Sequence, residues 1–205
     1  MAQRRTRPAV GSCALFACAA VVSANACSSN EGDEEAAARQ SSALTSDGGA
    51  LARELVPIAD TYLREGAPNT NHGALATLRL EPEDGRVLVR FDAAAMRELR
   101  AGSTTLALNI TSNGARRARS IAVHRLTHDY TELGATYNCS VDANTSNRSR
   151  DCSGATAWKM DEDDHPPWIR VPTAVARIAR GQVGTVTFDV TSDVALFRSG
   201  AAPNY

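Results

Sequence analysis

The sequence predicts an all-β fold, an antiparallel β-sandwich with a jelly-roll-like arrangement, from two observations. The first is alternation with a period of two, which places Val87, Val89 and Phe91 on one face of a strand. The second is turn signals between such segments, among them Asn113-Gly114. Short alternating strands joined by polar turns are typical of an antiparallel sandwich.

Each predicted strand has alternate apolar residues, so that one of its faces can be buried against a second layer. In chain order, the predicted strands are residues 77–80, 86–92, 104–110, 120–126 and 183–190. Two further segments, 96–100 and 192–200, favour short helical turns. In the 120–126 strand, His124 lies opposite the apolar face, and we expect it at the surface.

The first 26 residues have the features of an export signal. Arg4, Arg5 and Arg7 precede an apolar run, which is shorter than the ~18 residues of a membrane-spanning helix. The run ends in small residues before Cys27, as in bacterial lipoprotein signals, in which that cysteine becomes lipidated. We predict a lipoprotein or secretion signal over 1–26 and lipidation of Cys27, with a soluble secreted form as the alternative.

Small, polar and acidic residues dominate 27–54, which cannot build a core and are predicted to form a disordered tether. The folded domain is predicted over 55–205. The formal net charge is −1, and removal of the signal takes away three arginines and no acid, which leaves −4. This balance argues against a nucleic-acid partner.

Cys139 and Cys152 are the two cysteines of the predicted folded domain. A zinc site needs about four nitrogen or sulfur ligands, and neither a Cys-x-x-Cys motif nor a His-Cys cluster supplies them. Because an exported chain meets an oxidising compartment, we predict a disulfide between these cysteines. In the chain-entropy model, a bridge across a loop of this size adds roughly 3 kcal/mol of stability.

Several short motifs resemble, in order, the DNRLRE domain, a secreted β-sandwich related to carbohydrate-binding module family 96. The resemblance extends over residues 57–205. The matching segments are 59–62 (ADTY), 68–73 (PNTNHG), 86–92 (RVLVRFD), 123–139 (VHRLTHDYTELGATYNC) and 187–205 (TFDVTSDVALFRSGAAPNY).

The sequence departs from the family pattern in two places. Tyr130 stands where a tryptophan is usual, while Glu132 and Asn138 are kept. In the family, the last motif is followed by a glycine and a final strand, whereas this sequence ends at Tyr205. We therefore expect a sandwich whose last strand is missing at the C-terminus, with one sheet edge exposed.

The resemblance implies a non-catalytic carbohydrate-binding module at the cell surface. An acidic polysaccharide such as alginate would require a basic face, and Arg86 and Arg90 share one strand face. Tyr62, Tyr137 and Trp158 are the leading candidate rings for stacking on sugars, and Tyr130 and Trp168 are further candidates. The alternative is that these rings are core residues and that the protein is a structural or adhesive surface domain without a sugar ligand.

Asp60 is a candidate ligand for a metal or a sugar hydroxyl, and the alternative is hydrogen bonding within the turn at 69–73. A structural calcium ion is left open; no other cofactor is expected. The acids of 161–164 are interpreted as a solvated loop. Because the sequence has neither a Gly-x-Ser-x-Gly nor a His-Glu-x-x-His motif, we predict no enzymatic activity. The expected partners of this monomer are a polysaccharide and, through the lipid anchor, a membrane.

Overall fold

A computed structural model describes residues 12–16, 43–47, 53–81, 85–153, 158 and 166–205, with the backbone alone for the first two ranges. Strands predominate over helices in these ranges, which confirms the all-β prediction. The elements are β1 (Ser12–Phe16), β2 (Ala43–Asp47), β3 (Pro57–Leu63), β4 (Arg86–Phe91), α1 (Ala93–Arg97), β5 (Ser103–Ile110), β6 (Arg119–His124), β7 (Ala174–Ile178), β8 (Gly184–Asp189) and α2 (Thr191–Ser199).

The strands form three hydrogen-bonded groups, in the orders β1-β6-β7, β2-β5-β8 and β3-β4. Every pair is antiparallel except β1 with β6, which is parallel from Ser12–Ser120 to Phe16–His124. The edge of β6 is thus paired with five residues that lie inside the predicted export signal. Residues 201–205 follow α2 without forming a strand, and the Asn204 side chain donates a hydrogen bond to the carbonyl of Phe91 at the end of β4 (2.7 Å).

The main core lies where the inner faces of the strands meet. Val87, Val89 and Phe91 are buried there, together with Leu106 of β5 and Phe188 of β8. The alternation seen in the sequence therefore assigns the buried face of β4 correctly. Burial of these side chains supplies most of the driving force for folding, at about 25 cal/mol for each Å² of apolar surface removed from water.

The outer face of the β3–β4 hairpin is also buried, beneath the long segment 125–173 that connects β6 to β7. Leu63 and Leu88 project to this side and pack against Tyr130, Tyr137 and Trp158, which form a second apolar cluster. A β-bridge between Leu126 and Trp168 ties the two ends of the connecting segment together. The β3–β4 hairpin is consequently the middle of a three-layer arrangement, and the candidate site lies in its outer layer.

The structure differs from the sequence prediction in several elements. Strands β1, β2 and β3 were not among the predicted strands, and β1 and β2 lie in the segments predicted as export signal and disordered tether. Residues 77–80 do not form a strand, although Leu78 and Leu80 pack against the main core. Strand β7 was not predicted, because its short AVARI sequence carries alanines where a strand usually has bulky residues. Helix α1 begins at Ala93, earlier than expected, since the Asp92 carboxylate accepts a hydrogen bond from the amide of Ala95 (2.6 Å) and so caps it.

The predicted strands at 86–92, 104–110, 120–126 and 183–190 and the predicted helix at 192–200 are confirmed, with ends shifted by one or two residues. Among the described residues, no helix is long and apolar enough to cross a membrane. Cys27, most of the predicted signal and tether, and the acidic residues 161–164 lie outside the described residues.

Candidate functional site

A disulfide between Cys139 and Cys152 closes the polar loop of the outer layer, as predicted, with the two Cα atoms 5.1 Å apart. Cys139 is fully buried, whereas Cys152 is exposed. The buried Trp158 indole donates a hydrogen bond to the Cys139 carbonyl (3.1 Å). The bridge therefore fixes the exposed loop to the second apolar cluster.

The same loop is held against the turn at residues 67–70 by asparagine side chains. The amide nitrogen of Asn138 donates to the Pro68 carbonyl (3.0 Å), and its side chain donates to the Asn69 side chain (2.7 Å). Asn69 in turn donates to the carbonyl of Arg148 (3.0 Å), a residue with a positive φ of 57°. Asn69 thus serves to hold the disulfide loop on the sandwich.

Glu132 occupies the junction between this turn and the outer layer. The Asn71 side chain donates to the carbonyls of Glu132 (2.7 Å) and Ala135 (2.8 Å) and accepts from the amide of Gly73 (3.1 Å). A Cβ atom on Gly73 would lie 2.2 Å from the Glu132 carbonyl oxygen. Glycine is required here because the two backbones touch, a constraint that the sequence alone does not reveal.

Asp60 lies beside Glu132, whose carboxylate accepts the backbone N–H of Asp60 (3.0 Å). Burial, and secondly the negative charge of Glu132, raise the pKa of the Asp60 carboxyl to about 6. The alternative from the sequence was that the Asp60 carboxyl forms hydrogen bonds within the 69–73 turn. In the structure, the side chains that form hydrogen bonds at this turn are those of Asn69 and Asn71.

Among the described residues, the side chains around Asp60 do not form a cluster of calcium ligands. Calcium takes six to eight oxygen ligands. Asp60 and Glu132 offer two carboxylates, and one oxygen of Glu132 already accepts the Asp60 amide. Within the described ranges, no group of three or more His, Cys, Asp or Glu side chains could hold a metal ion.

Arg86 and Arg90 do share the outer face of β4, but the connecting segment packs over them. The Arg86 guanidinium lies between the rings of Tyr137 (5.0 Å) and Trp168 (5.2 Å). Arg90 lies over the Tyr130 ring (4.6 Å), donates to the Tyr130 carbonyl (2.7 Å) and pairs with the Asp129 carboxylate. The face is therefore a set of cation–π contacts rather than an open row of charges.

The three aromatic residues singled out from the sequence are buried. Trp158 is fully inaccessible, and Tyr62 and Tyr137 are 6% and 7% exposed. The ring of Tyr62 stacks on His72 with centroids 4.2 Å apart. A sugar needs an accessible ring face, and Trp168 of the outer layer is half-buried and so exposes more of its surface than these three residues do. Sequence reasoning gave it no priority, because only the fold places it against Arg86.

The expectation that His124 lies at the surface is wrong. It points away from the main core, as predicted, but it is buried, and its Nδ1 atom lies 2.9 Å from the Ile169 carbonyl oxygen. Burial lowers the pKa of His124, and the hydrogen bond to Ile169 opposes part of that shift.

A family model described as carbohydrate-binding module family 96 matches residues 52–160, which is more than half of the 205-residue chain. The matched range includes β3 and β4, the 67–73 turn and the disulfide loop. No curated protein and no solved structure matches the chain.

Proposed function

The chain belongs to carbohydrate-binding module family 96, and from this premise we propose that it binds an acidic polysaccharide without catalysing its breakdown. This family consists of carbohydrate-binding modules, in agreement with the resemblance carried by the sequence motifs. The acidic ligand and the position of the site are the finer parts of the proposal, and they rest on the contacts of the outer layer.

The observation that carries the proposal is the Arg86 guanidinium between Tyr137 and Trp168. A half-buried tryptophan ring can stack on the C–H face of a sugar, while the adjacent guanidinium pairs with a uronate carboxylate. Arg90, with its side chain 21% exposed, lies on the same face of β4 but is paired with Asp129, so the proposal uses Arg86 as its cation. In this arrangement Trp158 belongs to the buried cluster of the outer layer, Tyr62 belongs to the main core, and Trp168 provides the contact surface.

Affinity electrophoresis of the full chain in gels containing alginate, pectin or a neutral glucan tests this proposal. We expect retention by an acidic glycan, weakened by salt, because charge pairing is screened. Trp168→Ala and Arg86→Gln should each lower the affinity about tenfold or more, as loss of a stacking or charge-assisted contact does. Arg97→Gln, which changes an exposed arginine on α1, is the matched control and should leave retention unchanged.

A structural or adhesive surface domain is the second candidate, and the burial of Tyr62, Tyr137 and Trp158 favours it. Tyr137 and Trp158 would then serve only to attach the disulfide loop, and Tyr62 would serve only in the main core. No retention by any glycan, from a chain with a cooperative unfolding transition, would support this second function over the first.

We further propose that the protein is exported and anchored to a membrane through a lipid on Cys27. The support is the sequence pattern of the first 27 residues. Labelled fatty acid should be incorporated into the chain in a bacterial host, and Cys27→Ser should abolish that incorporation. Incorporation that persists in the variant would refute the assignment.

A further inference from the structure

Two neighbouring loops at one end of the sandwich carry a cluster of exposed arginines. One loop, residues 111–118, connects β5 to β6, and the other, residues 179–183, connects β7 to β8. The Asn113 side chain donates to the carbonyls of Ala179 (2.9 Å) and Gln182 (3.2 Å), so the loops are held together. The cluster, here called the arginine end, consists of Arg116, Arg117 and Arg180 of these loops and Arg177 close to the end of β7.

No acidic side chain from the neighbouring sequence offsets this charge. Residues 101–128 and 166–188 contain no Asp or Glu, although the chain as a whole has a formal net charge of −1. In the part of the chain that the structure describes, the ion pairs involve Arg53, Arg64, Arg79 and Arg90 and none of the four arginines of this cluster. Among the described residues, this end of the sandwich therefore carries a local excess of positive charge.

An apolar side chain stands at the tip of the same end. Val183 lies in the loop that carries Arg180 and is 61% exposed. Basic side chains around an exposed apolar tip match the two properties of an anionic lipid surface, negative headgroups above an apolar interior.

The first residue of β2, Ala43, lies at this end too. Strand β2 is antiparallel to β5, with Ala43 opposite Ala107, close to the end of β5 at Ile110. From Cys27 to Ala43 the chain has a root-mean-square reach of about 20–24 Å if it is flexible. A lipid on Cys27 would therefore hold the arginine end near the bilayer.

We propose that the arginine end docks on an anionic phospholipid surface, an inference that rests on the lipid anchor proposed above. The disulfide loop belongs to the segment that leaves β6 at His124 and returns to β7 at Ala174, at the opposite end of those strands. Docking therefore turns the outer layer, with Arg86 and Trp168, away from the membrane and towards extracellular polymers.

Hydrogen exchange of the chain that begins at lipidated Cys27, bound to vesicles, tests the inference directly. Vesicles of phosphatidylcholine alone are compared with vesicles in which phosphatidylglycerol replaces part of it. We expect slower exchange in 111–118 and 179–183 on the anionic vesicles only, reversed by salt, with no change in the disulfide loop. Each arginine near such a surface strengthens the contact roughly fivefold.

Two variants with the same change in net charge distinguish docking by the arginine end from non-specific attraction of the whole chain to anionic vesicles. Arg116→Gln, Arg117→Gln, Arg177→Gln and Arg180→Gln together should abolish the protection. The control set changes four exposed arginines elsewhere, Arg97→Gln, Arg100→Gln, Arg148→Gln and Arg150→Gln, and should retain it. Urea unfolding confirms that both variants are folded.

Three outcomes overturn the inference. The first is equal protection on both kinds of vesicle, or protection that survives in the arginine-end variant. The second is protection of these loops by alginate in solution, which would make the arginine end a glycan site. The third is protection without vesicles that disappears when Glu31, Asp33, Glu34 and Glu35 become glutamine, which would show that the chain's own acids cover it. Glycan retention is measured separately, so failure of the proposed function leaves this result interpretable.

Discussion

Replacement of Asp60 by asparagine should remove a pH dependence of stability that arises from a partly buried carboxyl. The pKa of Asp60 is raised from 3.8 to about 6, first by burial and second by Glu132. A raised carboxyl pKa means that the folded state binds more protons than the unfolded state between these two values. Stability from this group is therefore full below about pH 4 and is lost as the pH rises through about 6.

The size of the effect follows from the shift. One pKa unit corresponds to about 1.4 kcal/mol, so the whole shift corresponds to roughly 3 kcal/mol. Since Asp60 is only half-buried, solvent screening reduces this to about 1–2 kcal/mol. At neutral pH, the uncharged Asp60→Asn variant should be more stable than the wild-type chain by about that amount.

Urea unfolding of the oxidised full chain from pH 4 to pH 7 measures the effect. Other carboxyl groups contribute to the pH profile, so the quantity to follow is the difference between the variant and the wild type at each pH. Glu132→Gln serves as the control background, because it keeps the acceptor for the Asp60 amide but removes the negative charge. In that background, the stability difference between chains with and without Asp60→Asn should be smaller than in the wild type but should not vanish. A difference that does not grow between pH 4 and pH 6 would refute the reasoning.

Two other predictions concern the contacts that hold the outer layer in place, namely the Gly73–Glu132 backbone contact and the disulfide. Gly73→Ala should destabilise the fold by about 2 kcal/mol or more, because its Cβ would lie 2.2 Å from the Glu132 carbonyl oxygen. Gly66→Ala, where the added Cβ meets nothing within 4 Å, is the control, and equal unfolding midpoints for the two variants would contradict this account. Replacing Cys139 and Cys152 by serine should cost roughly 3 kcal/mol in the same assay, whereas an unchanged midpoint would show that loop closure contributes little.

The sequence by itself determined the features that depend on neighbouring residues. Alternation with a period of two is local, so it gave the buried face of β4 and the common outer face of Arg86 and Arg90. The pairing of Cys139 with Cys152 followed because no other cysteine lies in the predicted folded domain. The order of short motifs sufficed for the family resemblance that the comparison with family models supports.

Tertiary structure decided what covers each face. The outer side of β4 is polar enough at Arg86 and Arg90 to suggest a solvent-facing surface, yet a segment that starts some forty residues later in the sequence packs over it. The rings of Tyr137 and Trp168 meet Arg86 only through that packing. Local periodicity carries no information about a layer that comes from elsewhere in the chain.

The same reason explains the arginine end. Arg116 and Arg180 are far apart in the sequence, and neither belongs to a charge run long enough to mark a surface. They become neighbours because β6 and β7 pair in antiparallel register and the Asn113 side chain joins the two loops. Residue types were fixed by the sequence, whereas their assembly into a charged surface required strand pairing between distant segments.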